Sequence, residues 1–503
     1  MKAYTIIPKP RSIQYKQGNF KCTGIPQINV SAFQQEADVF IKQIQNTFGG
    51  QAFSETTDGI TLMKADNSFG DIHKAESYRL EILSGGIRLG AQTQTGAFRG
   101  LQTLRQLFLS GYQNGELSIP CGIIEDFPRF SWRGLMLDCS RYFYSVEFIK
   151  KLLDALSLQH ISIFHWHLTD DQGWRLPVKQ YPLLTEIGSR RNEHRLWGSV
   201  TGGFYTEEEI RDIVSYAAQR HIEVVPEVDL PGHASSILAA YPGLGCTGGP
   251  YRVEDRYGVF EDVLCAGNDG IFPLFEAIFD TLAELFPSKY VHIGGDEVRF
   301  NRWKECPRCN KRFTELGLDN YAQMQSWITV RLAQMLRDRG RITIGWDEVL
   351  ENTGKFPLPE NVVVMSWRAQ QGGAHAVSIG RRTIMSPQNE GCYLDYRHID
   401  TPEEIGRLGI GTIFKGYYMN PITPQMSKDE ASLVMGGQAN LWSEVIYAGK
   451  IAEYMIFPRI CGIAEALWSD EKTKDIEDFS KRLAVHQDRL DRLELLQYRG
   501  AIQ

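Results

Sequence analysis

Two different hydrophobic patterns divide the chain near residue 125. Before that point, the runs IPQINV, YRLEIL and GGIRLGAQ alternate apolar and polar residues, which is typical of half-buried antiparallel strands. The run AFRGLQTLRQLF has the spacing of an amphipathic helix. These runs predict a small α+β domain over residues 1–125, and the proline of EDFPRFSW marks the junction with the second part.

From residue 126 onward, short apolar runs alternate with helical patterns. The eight apolar runs are RGLMLDCS, HISIFHWHLTDD, HIEVVPEVDLPGH, KYVHIGGDEV, RITIGWDEV, NVVVMSW, RTIMSPQN and VMGGQANLWSE. Alternation of this kind predicts parallel βαβ units, and eight units imply a closed (β/α)8 TIM barrel. An open doubly wound sheet is the alternative, but no G-x-G-x-x-G follows the first strand. We therefore predict an α/β protein whose residues 126–503 form a (β/α)8 barrel with C-terminal helices.

Polar and aromatic side chains follow the predicted strands where each strand ends. A barrel brings these ends together around one mouth, where active sites are found. A single tryptophan there is more often part of the core, and a single acid is often a helix N-cap, but the whole set favours a shared pocket. Flat aromatic faces combined with carboxylates and an arginine suit a sugar. The residues are Arg141, Asp170, Asp171, Asp229, His233, Asp296, Glu297, Trp346, Trp367, Tyr393, Asp395, Trp442 and Glu444.

Composition and charge argue against a nucleic-acid-binding protein and against a membrane-spanning one. The chain has 503 residues and a formal net charge of -7, without a concentrated block of Lys and Arg, which argues against a nucleic-acid partner. No run approaches eighteen consecutive apolar residues, so we expect no membrane span. The start MKAYTIIPKPRS lacks the apolar core of a signal peptide. The localisation stays open, and a secreted or periplasmic protein whose signal was removed is favoured over a cytoplasmic one.

Cysteine usage leaves two alternatives open. Cys246 and Cys265 flank a Gly-rich segment that reads as a long loop, and a disulfide closing it would favour an oxidising compartment. Cys306 and Cys309 form CPRC, which is half of a zinc site or a redox pair. A second pair of metal ligands is not evident, so we favour a structural or incidental pair and expect no metal.

The motifs HIGGDEV, WRGLMLDCSR, FHWHLTDDQGWR, EVDLPGHASS, GWDEV, CYLDY and ANLWSEV resemble those of glycoside hydrolase family 20, the β-N-acetylhexosaminidases. The resemblance covers nearly the whole chain, and the motifs stand in the family's order. It implies an exo-acting, retaining enzyme that removes non-reducing terminal β-linked N-acetylglucosamine or N-acetylgalactosamine. The substrate's own acetamido oxygen would be the nucleophile, giving an oxazolinium intermediate.

The same resemblance bears on partners. It implies that the protein needs no cofactor and no metal. It also implies that the partner is a glycan or glycoconjugate ending in β-N-acetylhexosamine. The oligomeric state, monomer or dimer, stays open.

The resemblance also implies a role for each strand-end residue. Glu297 is expected to be the general acid/base, Asp296 to stabilise the acetamido N–H, and Tyr393 to donate to the acetamido oxygen. Neighbouring residues on an extended backbone point in different directions, so Asp296 and Glu297 are expected to reach different groups of the sugar. A like charge or a hydrophobic wall is expected to raise the pKa of Glu297. The expected substrate-binding residues are Arg141, Asp170, His233, Trp346, Trp367, Asp395, Trp442 and Glu444, with Asp229 behind them.

Some positions depart from the family's pattern. Tyr142 stands where many members have His. A further wall tryptophan is missing from the region of TIFKGYYMNP, where Phe414 or Tyr417 is the candidate to replace it. His165 and His167 lie two apart on one strand and face the same side, and we favour a packing or hydrogen-bonding role over a metal site.

Two functions of other classes stay open. One is a sugar-binding protein built on an inactive barrel. The other is a retaining glycosidase that uses two carboxylates and acts on sugars without an acetamide. The intact set of Asp296, Glu297 and Tyr393 favours the substrate-assisted enzyme over both.

Overall fold

A computed structural model describes residues 4–48, 59–64, 74–193 and 199–500. The N-terminal part is an α+β domain in which one sheet packs against two helices. The strands are β1 (Ser12–Thr23), β2 (Ile28–Val30), β3 (Ile60–Lys64), β4 (Tyr78–Leu83), β5 (Gly86–Ala91), β6 (Tyr112–Gln113) and β7 (Glu116–Asp126), and the helices are α1 (Gln34–Phe48) and α2 (Gln94–Gly111).

The sheet order is β1-β7-β4-β5-β3-β2, with β6 paired to β7. The burial of β4 alternates along its length, as the sequence predicts for a strand that covers a core on one face. One detail differs from the prediction, because the IPQINV run forms β2, which pairs in parallel with β3. Helix α1 lies between these two strands along the chain and supplies the long crossover that parallel neighbours require.

The second part of the chain forms a closed barrel of eight parallel strands, in the order β14-β15-β16-β17-β18-β21-β8-β9. Each of the eight apolar runs singled out in the sequence supplies one barrel strand, so the predicted TIM barrel is confirmed. The strands of this part are β8 (Trp132–Asp138), β9 (Ile163–His167), β10 (Thr169–Asp170), β11 (Gly173–Trp174), β12 (Arg190–Glu193), β13 (Ser199–Gly202), β14 (Glu223–Glu227), β15 (Tyr290–His292), β16 (Ile342–Trp346), β17 (Val363–Ser366), β18 (Thr383–Met385), β19 (Tyr396–Arg397), β20 (Arg407–Ile410) and β21 (Val434–Leu441).

Helices surround the barrel and carry the chain back between its strands. None of the helices in the described ranges is long and apolar enough to cross a membrane. The helices are α3 (Val146–Leu158), α4 (Leu183–Glu186), α5 (Glu207–Ala218), α6 (Ser235–Ala240), α7 (Ile271–Leu285), α8 (Asn301–Glu305), α9 (Pro307–Glu315), α10 (Tyr321–Asp338), α11 (Gln370–Ser378), α12 (Ile413–Tyr418), α13 (Lys428–Ser432), α14 (Gly449–Ile456), α15 (Arg459–Trp468) and α16 (Ile476–Arg492).

Buried charges join the N-terminal domain to the barrel. Arg133, near the start of β8, and Arg99 of α2 both form ion pairs with Glu76, at 2.6 and 2.9 Å. Although burial alone raises the pKa of Glu76, the two arginines outweigh it and hold this pKa at about 2. Trp468, at the end of α15, packs into the apolar core of the N-terminal domain. Since Arg133 lies at the beginning of its strand, these contacts leave the other end of the barrel free for a site.

Candidate active site

The loops after the barrel strands place the predicted residues around one pocket of about 70 Å³. Four predicted residues lie directly behind its wall: Asp170 beside Arg141, Asp171 beside His233, Asp229 beside Asp296, and Asp395 beside Arg407. The structure therefore brings together all the strand-end residues that the sequence analysis named. The pocket is lined by Arg141, His233, Asp296, Glu297, Trp346, Trp367, Tyr393, Arg407, Trp442 and Glu444.

The GGDE segment after β15 is a tight turn rather than a continuation of the strand. Gly294 and Gly295 have φ values of 65° and 94°, and a Cβ on Gly294 would lie 1.8 Å from Oδ1 of Asp229. The N–H of Gly295 donates to the same oxygen at 3.0 Å. This close approach, together with the positive φ, requires glycine at residue 294.

Glu297 itself has a φ of 53°, so the prediction of an extended backbone for Asp296 and Glu297 is wrong. The left-handed region is rarely occupied by residues other than glycine, and such strain is concentrated at functional sites. The turn still separates the two acids, because the side chain of Glu297 is 39% exposed while Asp296 as a whole is 8% exposed. One carboxyl group faces the mouth and the other faces the interior.

Asp296 belongs to a group of buried acids with few compensating cations. Burial raises the pKa of Asp296 well above its usual range, and the like charge of Asp229 raises it further. Burial also raises the pKa of Asp229, to about 6, and that of Glu348, to about 9, with Asp296 as the second cause for Glu348. Carboxyl groups buried close to one another cannot all be ionised, because their negative charges repel each other. Burial and mutual repulsion therefore favour the protonated form of this acid group.

His233 lies beside both acids, with its Nε2 3.8 Å from Oδ2 of Asp296, and it affects Glu297 more strongly. Nε2 of His233 is 3.7 Å from Oε2 of Glu297, and Nδ1 of His233 is 2.9 Å from Oδ2 of Asp171 and 3.1 Å from Oδ1 of Asp170. Although burial lowers the pKa of His233, Asp170 and its other acidic partners outweigh it and raise this pKa well above 6.5.

The nearby imidazolium of His233 in turn lowers the pKa of Glu297 and outweighs the effect of burial. The prediction that the surroundings of Glu297 raise its pKa is therefore wrong for the unliganded site.

A buried acid that the sequence analysis missed lies beneath the pocket. Glu227, the last residue of β14, is fully buried. Its Oε1 is 3.0 Å from Nδ1 of His292 and accepts from Nε1 of Trp346 at 3.0 Å, and its Oε2 is 2.9 Å from Nε2 of His165. Burial alone raises the pKa of Glu227, but the surrounding histidines outweigh it and hold the pKa well below its usual range. The sequence held one signal for Glu227, which was a charged residue inside an otherwise apolar strand run.

His167 connects Glu227 to the pocket. Its Nδ1 is 2.6 Å from Oε2 of Glu227 and its Nε2 is 3.0 Å from Oδ2 of Asp170, which also pairs with Nη2 of Arg141 at 2.7 Å. The two carboxylates outweigh burial and raise the pKa of His167 well above 6.5. His167 forms hydrogen bonds with Glu227 and Asp170, and Nδ1 of His165 is 2.9 Å from Nε2 of Gln438, which agrees with the hydrogen-bonding role favoured from the sequence. Alternating charges extend from the barrel interior to His233 beside Glu297.

Aromatic rings form the walls of the pocket. Trp367 and Tyr393 stack at 6.3 Å with an interplanar angle of 14°, and Trp346 and Trp442 lie 5.9 Å apart. The guanidinium of Arg141 lies over Trp442, 5.0 Å from the ring centroid. Burial raises the pKa of Tyr393 well above its usual range, so its hydroxyl remains a hydrogen-bond donor. Flat walls with a few polar groups at the end are the pattern of a sugar-binding pocket.

Arg407 is a pocket residue that the sequence analysis did not identify. Its Nε is 2.5 Å from Oδ2 of Asp395 and its Nη1 is 3.3 Å from Oε1 of Glu444. The prediction that Phe414 or Tyr417 replaces the missing wall tryptophan is wrong, because Tyr417 is fully buried and neither ring lines the pocket. No spacing in the sequence marked Arg407, which follows Asp395 by twelve residues.

The possible disulfide between Cys246 and Cys265 is not formed. Both cysteines are free, and so are Cys306 and Cys309.

Comparisons with known proteins agree with this geometry. The models of glycosyl hydrolase family 20, domain 2, and of the glycosyl hydrolase family 20 catalytic domain match residues 3–127 and 130–471. A β-hexosaminidase of Porphyromonas gingivalis is 40% identical over 82% of this chain, which spans 53% of that relative's length. A β-hexosaminidase of Akkermansia muciniphila is 35% identical over 82% of this chain and 83% of its own length. The crystal structure of an exo-β-N-acetylglucosaminidase of Vibrio harveyi in complex with N-acetylglucosamine has a TM-score of 0.89, at 29% identity, covering 99% of this chain and 78% of that one.

Replacing Glu227 with glutamine should destabilise the protein by about 3 kcal/mol, because the buried imidazolium of His167 then loses one of the two carboxylates that compensate it. Glu223→Gln, at the other end of β14, is the matched control: Glu223 is half-buried and accepts a single hydrogen bond from Ser288, so its loss should cost less than about 1 kcal/mol. Urea unfolding of both variants measures the difference. Equal stability of the two variants would contradict the central role of Glu227.

Proposed function

Because this chain belongs to glycosyl hydrolase family 20, we propose that it is an exo-acting, retaining β-N-acetylhexosaminidase. Its substrates are glycans or glycoconjugates with a non-reducing terminal β-linked N-acetylglucosamine or N-acetylgalactosamine. One observation carries the proposal: Asp296 and Glu297 line one aromatic pocket, and their surroundings shift their pKa values in opposite directions, upwards for Asp296 and downwards for Glu297. Two neighbouring acids set apart in this way suit two different roles in one reaction.

The nucleophile is the carbonyl oxygen of the substrate's 2-acetamido group. It attacks the anomeric carbon while the bond to the leaving oxygen breaks, and Glu297 gives its proton to that oxygen. Water then attacks the anomeric carbon of the oxazolinium ion, Glu297 takes the proton of that water, and the configuration is retained. The hydroxyl of Tyr393 holds the acetamido oxygen in position, which makes the attack intramolecular.

Asp296 stabilises the positive charge that develops on the acetamido nitrogen. Asp229 and Asp296 titrate as a pair, so the proton that burial retains on them belongs to both carboxyl groups. Charge development beside Asp296 draws this proton towards Asp229, which leaves Asp296 anionic and able to accept from the acetamido N–H. The pair thereby supplies negative charge when the transition state needs it.

Glu297 must carry a proton to act as an acid. In the unliganded site His233 lowers its pKa, and the side chain is partly exposed. A sugar in the pocket removes water from Glu297, and desolvation raises the pKa of a carboxyl group. Substrate binding therefore favours the protonated form, and the carboxylate left after proton transfer is stabilised by the imidazolium of His233.

Charged groups at the end of the pocket favour cleavage at a chain end. Arg141 lies on one side, and Asp395 and Glu444 lie on the other, joined by Arg407. Charge-assisted hydrogen bonds from these groups to hydroxyls 3, 4 and 6 leave no passage for a further sugar unit at that end.

A defined chito-oligosaccharide labelled at its reducing end tests the proposed function. We expect the monosaccharide as the first product, with labelled chains that shorten one unit at a time. Chromatography of early time points separates this course from internal cutting, and internal fragments before any monosaccharide would exclude the exo mode. Equal rates on an aryl β-glucoside and its 2-acetamido analogue would exclude assistance by the acetamide.

Asp296→Asn should lower turnover by about 100-fold or more, because the oxazolinium ion loses its counter-charge. The same change removes a like charge from the buried acids, so the free energy of unfolding should not fall. Turnover and urea unfolding measured together distinguish a chemical effect from a folding defect. Turnover near that of the wild type would refute the role of Asp296.

His233→Ala should shift the descending, alkaline limb of the kcat/KM profile to higher pH. His233 holds the pKa of Glu297 below its usual value, so its removal raises that pKa and Glu297 keeps its proton to higher pH. The exposed His375→Ala is the control and should leave the profile unchanged. A limb that stays in place or moves to lower pH would contradict the pairing of His233 with Glu297.

A further inference from the structure

Four cysteines far apart in the sequence meet beside the loop that carries Glu297. Cys246 and Cys265 lie between α6 and α7, and Cys306 and Cys309 lie at the start of α9. The Sγ atoms of Cys265 and Cys309 are 3.6 Å apart, and those of the pairs 246–309 and 265–306 are both 3.8 Å apart. All four sulfur atoms lie within 4.8 Å of one another. They therefore form one compact cluster rather than two pairs.

The spacing of the sulfur atoms fits a tetrahedral metal site. Four thiolates at about 2.3 Å from a zinc ion are about 3.8 Å from one another. A disulfide would require a separation of about 2 Å, and none of the four cysteines forms one. The two ligands that the sequence analysis could not find for CPRC are thus Cys246 and Cys265, which are separated by a loop and form no C-x2-C motif of their own.

The backbone beside the cysteine cluster is closely packed. A Cβ on Gly267 would lie 2.2 Å from the carbonyl carbon of Arg308 and 2.4 Å from the nitrogen of Cys309, so only glycine permits this approach. The loop after Cys265 therefore lies directly against the backbone of Cys309.

We propose that Cys246, Cys265, Cys306 and Cys309 bind one Zn²⁺ as thiolates, with their four protons released to solvent. Four protein ligands close the coordination sphere, so the ion is structural and takes no part in the hydrolytic reaction. A set of four soft sulfur ligands selects zinc or iron over magnesium and calcium.

The ion would fasten two loops of the barrel to each other. Cys306 follows Glu297 by nine residues, and between them Nε1 of Trp303 donates to the carbonyl oxygen of Leu264 at 2.9 Å. The zinc ion would therefore hold the segment after Glu297 against the loop between α6 and α7. This proposal does not depend on the proposed function.

Metal analysis of the purified, reduced full chain tests the proposal. Inductively coupled plasma mass spectrometry should find about one zinc per chain, released when a mercurial reagent titrates the thiols. Cys246→Ser should lose the zinc, Cys246→His should retain it because imidazole is also a zinc ligand, and Cys22→Ser should match the wild type. Removal of zinc should lower the Tm of the wild type, and added zinc should restore it.

Three results would overturn the proposal. One is native protein without zinc whose Tm does not respond to added zinc. Another is a disulfide among the four cysteines in the native protein, detected by peptide mass spectrometry. The third is iron in place of zinc at one or more atoms per chain, since that assigns the cluster to another metal. The wild-type measurements decide these outcomes even where a cysteine variant fails to fold.

Discussion

Burying a carboxylate inside a barrel costs several kcal/mol unless donors and cations surround it. Glu227 meets this condition with three histidines and the indole of Trp346, and the barrel strands beside β14 supply most of these partners. The hydrogen bond to Glu227 helps to position Trp346, a wall of the pocket. Glu227 and Asp170 together raise the pKa of His167.

Burial alone would raise the pKa of the carboxyl groups around the pocket, and the nearby cations decide whether each pKa rises or falls. On one side, Asp170 is buried between the cations of Arg141, His167 and His233, so its pKa lies far below the usual range although burial alone would raise it. On the other side, Asp229, Asp296 and Glu348 are buried with fewer cations, and their pKa values rise. A substrate whose acetamide becomes positively charged suits the second side, and a proton donor that must become an anion suits the first.

The sequence predicted what depends on local patterns. The apolar runs identified all eight barrel strands, and the residues at their ends met in one pocket because a parallel barrel leaves no other arrangement. It did not predict features that depend on which residues approach each other in space. Such features are the left-handed φ of Glu297, the close contact of Gly294 with Asp229, and the position of Arg407 on a loop without regular spacing.

The cysteines illustrate the same limit. CPRC was visible as half of a site, whereas Cys246 and Cys265 suggested a disulfide because they flank one loop. Only the fold shows that this loop and α9 lie against each other.

The left-handed backbone of Glu297 stores strain that the surrounding structure must resist, since the turn could otherwise relax and move the carboxyl group of Glu297. The turn is held on one side by the bond from Gly295 to Asp229, and on the other by Trp303 and the cysteine cluster. The proposed zinc site, nine residues beyond Glu297, would therefore support the proposed proton donor without touching the substrate.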